Sequence, residues 1–386
     1  MSGGWSSPKP PARAAAPAPA GETSVSVART AAEIAALVPE WEALAGAALE
    51  PNPFYESWML LPALDALVEG EPVFIAAVRV AGQLAGLFPL QPLPRYKGLP
   101  TRALRLWRHR HLLLCVPLVR AESAAACLDA LLAWAAAEAS VLQIEDLPAG
   151  GAFHRALIDA IARRDLPTAA FNMYTRAVLR KAADAESYLA AALSTSTRRK
   201  LARKARRLAE RGAVSHVRLA QADDADAWIE KFIVLEASGW KGERGSALAS
   251  REGDRRFAVA VLREALRRGR LLALGLDLDG TPIARCSTIL AAPGSFAFKT
   301  AYAEGYADYS PGVLAELDRM AAFHALPDIA WMDSFTGPNN ARLDAMWKDR
   351  IAVQTLLVSL SRMGDVVLAA MPAMRLAKRV LRPAAA

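Results

Sequence analysis

LLALGLDL (residues 271–278) and PIARCSTIL (residues 282–290) flank the pair Asp279-Gly280, and this stretch decides the fold. Both runs are apolar and of strand length. Asp-Gly is a strong two-residue hairpin turn, because both of its positions accept positive φ. Working outward, SFAFKTAYA (295–303) reads as a strand, and a helix starts after Pro311-Gly312 and runs to about His324. A strand IAWMD (329–333), a short helix (340–346) and a strand (351–359) follow. The same order occurs earlier in the chain. VFIAAVRV (73–80) and QLAGLFPL (83–90) surround Ala81-Gly82. After them come an apolar run (111–118), a helix (122–139), the strand VLQIEDL (141–147), a helix (152–164) and a strand (169–180). An element order that recurs in this way predicts an internal repeat. The fold class expected is α/β, with two tandem domains, each a mixed central sheet flanked by helices.

Between the repeats lies a helical insert. Residues 188–193 form a short helix, and a long one is capped at Ser196 and stops at Gly212. Helices at 224–237 and 252–268 follow, the second ending at Gly269. The expected organisation is a disordered Pro/Ala-rich tail (1–24), an N-terminal domain (25–182), a C-terminal domain (183–362) and a basic amphipathic tail (363–386).

Composition narrows the function. The 386 residues are 53% apolar, enough for a core in each half. No uncharged apolar run reaches the roughly 18 residues that a spanning helix needs. The first residues lack the apolar segment of a signal peptide. The expectation is therefore a cytoplasmic protein able to lie at the inner-membrane surface. Cys115, Cys127 and Cys286 have neither zinc nor disulfide spacing, and His109 and His111 form an H-x-H pair without a second ligand pair, so no metal is expected. The formal charge of +8 is concentrated at 198–211 and beyond 362, which points to anionic partners.

Four stretches of the C-terminal half carry a likeness to a known family. They are STSTRRKLARKARRL (194–208), LEASGWKG (235–242), YAEGYADYSPGVL (302–314), and DSFTG (333–337) with Trp347-Lys348 after it. With the element order, they resemble the GNAT acyltransferase fold, and two copies in one chain resemble the double-domain CelD-like and FemAB-like proteins. The resemblance implies a transferase acting on an amine of a cell-envelope precursor, an amino-lipid such as a sphingoid base or an aminosugar of an exopolysaccharide precursor. It implies acyl-CoA as donor substrate; acyl-carrier protein and, in FemAB-like relatives, aminoacyl-tRNA are the other donors. Apart from that tRNA, nucleic acid is not expected. Where the usual pyrophosphate signature is Q/R-x-x-G-x-G/A, this chain has Tyr309-Ser310-Pro311-Gly312-Val313-Leu314, the one-glycine CelD-like form. The N-terminal copy has Cys115-Val116-Pro117-Leu118-Val119-Arg120 at that place, and a chain without a working loop in either copy would be a binding scaffold.

The residues themselves suggest roles. Ser310, Gly312 and Val313 lie at a helix start, where free N–H groups favour anions, or they form a plain capped turn. Phe298, Lys299 and Thr300 lie on the strand beside which a donor's pantetheine arm would run. Alternation puts Phe296, Phe298 and Thr300 on one face and Ala297, Lys299 and Ala301 on the other, with Lys299 toward a cleft. Acyl transfer to an amine needs a base and a proton source for the leaving thiolate. Glu236 and Asp333 are the base candidates, with Asp344 nearby; a surface carboxylate and a turn residue are the alternatives. Tyr302, Tyr306 and Tyr309 are candidate acids. Trp240, Lys241 and Lys348 are candidate substrate contacts. The helix from Arg198 to Arg211 has an apolar stripe of Leu201, Ala205 and Leu208, and its basic face suits phosphates, a headgroup layer or tRNA. The tail gathers Val367, Met371 and Met374 on one side and Arg375, Lys378, Arg379 and Arg382 at its end, as a surface-lying helix would.

Overall fold

The computed structural model describes residues 22–219 and 224–380, with side chains described as far as Pro372. The expected N-terminal tail lies outside the described residues up to Gly21, and Thr23 already begins a strand. The first half carries β1 (Thr23–Ala28), β2 (Phe74–Val80), β3 (Gln83–Leu93), β4 (Ala103–Leu106), β5 (Leu118–Val119), β6 (Val141–Pro148) and β7 (Thr168–Arg180). The second carries β8 (Val214–Arg218), β9 (Leu271–Leu278), β10 (Thr281–Ala291), β11 (Gly294–Tyr302), β12 (Trp331–Asp333) and β13 (Asp349–Ser359).

The hairpin turns that organised the sequence recur in the structure. Ala81 and Gly82 have φ of 51° and 77°, and Asp279 and Gly280 have 48° and 76°. Positive φ at both central residues twists the flanking strands the right way. Each half then repeats one pattern: an outer strand antiparallel to the hairpin, the hairpin antiparallel to a third strand, and that strand parallel to the next. The parallel pairs are β4 with β6 and β11 with β12.

The closing strands are exchanged. β13 pairs with β6 of the first half, β7 pairs with β12 of the second, and β7 and β13 pair antiparallel at the centre. The result is one 13-stranded sheet in the order β1-β2-β3-β4-β6-β13-β7-β12-β11-β10-β9-β8, with β5 on β3. Each half thereby covers a strand edge that would otherwise present unpaired backbone groups.

Several expectations need correction. The third strand of the first half, β4 at Ala103–Leu106, precedes the apolar run at 111–118 and was not read from the sequence; residues 111–117 are apolar because they form a buried loop in the first half's core, with Leu112 and Cys115 fully buried. The short polar edge strands β1 and β8 escaped the periodicity reading. Ser194, not Ser196, caps the basic helix Thr195–Ala209, accepting the Thr197 N–H at 3.1 Å. Val367 and Met371 of the C-terminal helix Arg362–Val380 are buried against Phe171 and Leu357, so that apolar side holds the protein together rather than facing outward. Met374 and the basic residues beyond it lie outside the described side chains.

Two layers position the site. On one face, Phe54 of the first half and Phe232 and Phe257, from helices Ala225–Ala237 and Glu252–Arg267, pack into one core with Phe296 and Phe298. On the other, Met320 and Phe323 of helix Pro311–Ala325 pack against Ala297 and Met332.

Candidate active site

β11 and β12 pair only from Gly294–Phe296 to Trp331–Asp333. Beyond that the strands part, and a cleft of about 470 Å³ opens between them. Phe298, Lys299, Thr300 and Tyr302 of β11 form one wall, and Ser334 and Phe335 after β12 form the other. Phe335 holds a φ of 51° and stacks on Phe54 with 4.3 Å between ring centroids, so the first half braces the parting.

β11 also carries a bulge. Ser287 faces Lys299 and Thr288 faces Ala297, so Phe298 is the extra residue. A bulge shifts every later side chain by one position. Lys299 consequently follows Phe298 onto the side of the first half, where its Nζ lies 5.4 Å from the Phe298 ring centroid, while Thr300 turns to Arg319. The strict alternation read from the sequence fails there; the placement of Lys299 at a cleft stands.

Trp240 lies on the cleft rim, 42% exposed, and its N–H donates to Glu304 at 2.8 Å. Lys241 lines the cleft and donates to Glu236 Oε1 at 2.6 Å and to the Thr300 carbonyl at 3.1 Å. Glu236 is buried behind it, and its second oxygen accepts the Leu248 N–H at 2.8 Å. Asp333 is elsewhere engaged. It pairs with the buried Arg176 at 2.7 Å and accepts the Phe335 N–H at 2.8 Å, so it fixes the turn at which the strands part. Lys348 is exposed and does not line the cleft; its backbone N–H donates to Tyr188.

The other end of the cleft meets the start of helix Pro311–Ala325. Ser310 is left-handed (φ 55°), and the Val313 and Leu314 N–H groups return to its carbonyl, so Gly312 offers the free donor of that first turn. A β-carbon on Gly312 would stand 3.0 Å from both the Tyr302 ring and Arg342 Nη1. Lys204 of the basic helix reaches the Ser310 hydroxyl at 2.7 Å, and Arg207 lies over the Tyr309 ring at 5.6 Å. The structure thus gathers Ser310, Gly312, Tyr302 and Tyr309 with basic side chains.

Sequence reasoning missed Arg319 and Arg342, which both line the cleft. Arg319 is almost fully buried and ion-paired with Glu316, which also accepts the Trp347 indole N–H at 3.1 Å. Arg319 Nη1 and Arg342 Nε have no hydrogen-bond partner among the described residues. The signal was available: Glu316 and Arg319 occupy the buried stripe of an otherwise apolar helix face.

The corresponding place in the first half is closed. The Trp107 N–H donates to the Pro89 carbonyl at 2.7 Å and the Cys115 N–H to the Asp146 carbonyl at 3.3 Å, so residues 107–117 run between the strand ends there.

Residues 195–349, the span that contains the cleft, match the family described as acetyltransferase (GNAT) domain. The C-terminal half is thus similar to a GNAT domain over that span. With the same strand order in its first half, the chain is a tandem of two GNAT-like α/β units and a transferase of the GNAT acyltransferase type. Among solved structures, it is similar to FemX at 12% identity, with 86% of this chain and 97% of FemX covered and a TM-score of 0.55. It is similar also to a conserved protein of unknown function from Bacteroides thetaiotaomicron VPI-5482, at 11% identity, 84% and 97% coverage and a TM-score of 0.54. A tandem GNAT protein from the clavulanic acid biosynthesis pathway aligns at 14% identity over 88% of this chain and 99% of its own, with a TM-score of 0.42. No curated protein sequence matches the chain.

Proposed function

We propose that the protein is an acyl-CoA-dependent N-acyltransferase whose acceptor is an amine of a cell-envelope precursor, an amino-lipid or an aminosugar, in the CelD-like manner. The observation that carries this is the parting of β11 and β12. It leaves one edge of β11 beyond Phe296 without a strand partner, and an extended pantetheine arm can run along such an edge as an added strand does. Arg342 and the Gly312 N–H at one end of the cleft suit the pyrophosphate, and Lys204 and Arg207 flank the same turn. The thioester then lies near the Phe298 bulge, with Tyr302 beside it as a proton donor to the thiolate. No metal is needed for this chemistry.

Calorimetric titration with acetyl-CoA and octanoyl-CoA tests the donor. Thiol release in the presence of sphinganine, glucosamine and their N-acylated controls tests the acceptor class. Micromolar binding of an acyl-CoA with amine-dependent thiol release supports the reading; no binding of either CoA ester removes it.

One feature favours a second reading. The exposed face of Thr195–Ala209 presents Arg198, Arg199, Arg203 and Arg206 beside the same turn, which would also suit the phosphates of an aminoacyl-tRNA in a FemAB-type reaction. Stimulation by charged tRNA but not by acyl-CoA distinguishes it. Among the described residues, the same face supports a peripheral inner-membrane location, since Val367 and Met371 are buried.

A further inference from the structure

Lys299 projects from the bulged part of β11 into the cleft wall, and its Nζ lies 3.0 Å from His111 Nδ1. His111 comes from the first half, on the segment that closes that half's own cleft. Its other nitrogen, Nε2, lies 2.8 Å from Asp254 Oδ1, and Arg110 Nε reaches the same oxygen at 2.6 Å. The tautomer follows from these contacts. A carboxylate accepts only, so His111 Nε2 carries the proton and Nδ1 presents its lone pair to Lys299. His111 stacks on Phe257 at 5.7 Å with a 4° interplanar angle, which fixes the ring.

We infer that Lys299 is the general base of the acyl transfer proposed above, and that His111 of the first half is its positioning residue. The inference rests on that reading of the cleft. It explains why two units are fused: the half whose cleft is closed supplies the side chain that orients the working base of the other.

The alternatives at the cleft are occupied. Both Glu236 oxygens accept hydrogen bonds, from Lys241 and from the Leu248 N–H, and Asp333 is held by Arg176. Lys241 is engaged by Glu236 and by the Thr300 carbonyl. The charged groups acting on Lys299 are Glu236 and Lys241 from the insert and Asp254 from helix Glu252–Arg267; burial outweighs them and brings its amine down to about 8. Burial, with Lys299, Arg110, Lys241 and Arg251 nearby, takes His111 down to about 2, so the imidazole accepts a hydrogen bond without becoming a proton carrier.

The step balances as follows. The acceptor ammonium gives one proton to solvent. As its nitrogen attacks the thioester carbonyl, the C–N bond forms and that nitrogen loses a second proton to neutral Lys299 Nζ. The C–S bond breaks with its electron pair on sulfur. The Lys299 ammonium returns that proton to the thiolate, directly or through the Tyr302 hydroxyl. The products are amide and CoA thiol, with Lys299 neutral again.

Competitive labelling with trace acetic anhydride, read by peptide mass spectrometry from pH 6 to 11, reports the state of Lys299 without any acceptor. The expected midpoint is near pH 8, against the roughly pH 10.4 of an unperturbed lysine. A midpoint at or above 10 overturns the inference, whatever the transfer assay gives. Octanoyl-CoA turnover with the acceptor class found above supplies the second readout. Lys299→Met is expected to lose at least roughly a hundredfold in kcat with octanoyl-CoA affinity kept. His111→Phe is expected to shift the acidic, ascending limb of the kcat profile, and His111→Asn, which keeps an acceptor near the Nδ1 position, to restore much of it. Full turnover by Lys299→Met overturns the proposal. Failure of octanoyl-CoA to bind removes the reading of the cleft instead, and the labelling midpoint still decides the state of Lys299.

Discussion

His111 and Lys299 meet across the two halves of the chain, the imidazole Nδ1 3.0 Å from Lys299 Nζ, although the two lie 188 positions apart in sequence. Beneath this contact lie two buried histidines, His109 and His111, held neutral. Burial is the first cause for both, and neighbouring positive groups add to it. A histidine whose folded pKa is depressed lets the unfolded chain bind more protons below about 6.5.

Stability is therefore expected to be full above pH 6.5 and to fall as pH drops from there toward 4. Each of the two histidines contributes a loss of about 1.4 kcal/mol per pH unit well below 6.5. Urea denaturation at pH 7.5, 6.0 and 5.0 measures it. His109→Gln and His111→Gln should each flatten the slope in that window. A stability that holds constant down to pH 5 would contradict the buried neutral state.

Gly312→Asp is expected to weaken acyl-CoA binding at least tenfold, or about 1.4 kcal/mol, while the protein stays folded. The new carboxylate would stand next to Arg342 and occupy it, and it would repel the pyrophosphate. Arg342→Ala tests the same contact from the other side. A hydrogen bond to a charged group contributes about 1.5–3 kcal/mol, so a loss of roughly ten- to a hundredfold is expected. Calorimetry with unfolding monitored in parallel distinguishes lost affinity from lost fold.

Asp333→Asn and Glu236→Gln should behave differently, because their surroundings differ. Removing the Asp333 charge leaves Arg176, whose side chain is fully buried, without its counter-ion, and such breakage costs about 3–5 kcal/mol. The expected result is a lower unfolding midpoint. Glu236→Gln releases Lys241 from its ion pair at the cleft wall, and the expected result is a fall in kcat with a smaller change in stability. Equal turnover of both variants with the parent would leave neither carboxylate a part in the reaction.

The parts of this molecule that follow local rules were legible in the sequence. Asp279-Gly280 demanded its hairpin, Pro311-Gly312 began its helix, and the repeated order of strands gave the tandem α/β class. Long-range pairing was not legible. Nothing in Thr168–Arg180 or Asp349–Ser359 distinguishes a strand that closes its own half from one that is exchanged, since both choices bury the same side chains. The bulge at Phe298 was hidden for the same reason: it is a relation between β10 and β11, and it reversed the faces assigned to Lys299 and Thr300. His111 read only as half of an H-x-H pair, because its partner Lys299 lies in the other half of the chain.

The exchange makes the halves interdependent. A fragment of residues 183–386 lacks both β6 and β7, so the outer edge of β12 and both edges of β13 would stand bare, with Phe335 deprived of Phe54. It is expected to aggregate or to show no cooperative unfolding. Extending it to residues 165–386 restores β7 between β12 and β13 and should improve solubility, without restoring the His111–Lys299 contact. A cooperative, monomeric 183–386 fragment would contradict the exchanged topology.

Among the described residues, the surface suited to anionic membranes is the basic helix. No helix among the described residues is long and apolar enough to cross a membrane. The C-terminal helix uses Val367 and Met371 internally, against Phe171 and Leu357. Thr195–Ala209 buries Leu208 and leaves Arg198, Arg199, Arg203 and Arg206 exposed on the outside. Each such charge contributes at best about 1 kcal/mol near an anionic leaflet. Screening limits the attraction to about 8 Å at physiological salt. Flotation with phosphatidylglycerol-containing vesicles should therefore fall steeply between 50 and 300 mM salt, on the order of the steps that screening predicts, and phosphatidylcholine vesicles should bind little. Arg198→Glu with Arg199→Glu and Arg203→Glu should abolish flotation while leaving acyl-CoA affinity within about threefold, well under 1.4 kcal/mol, because none of the three lines the cleft. Equal binding to both vesicle types, or to neither, would favour a soluble aminosugar acceptor over a membrane-borne amino-lipid.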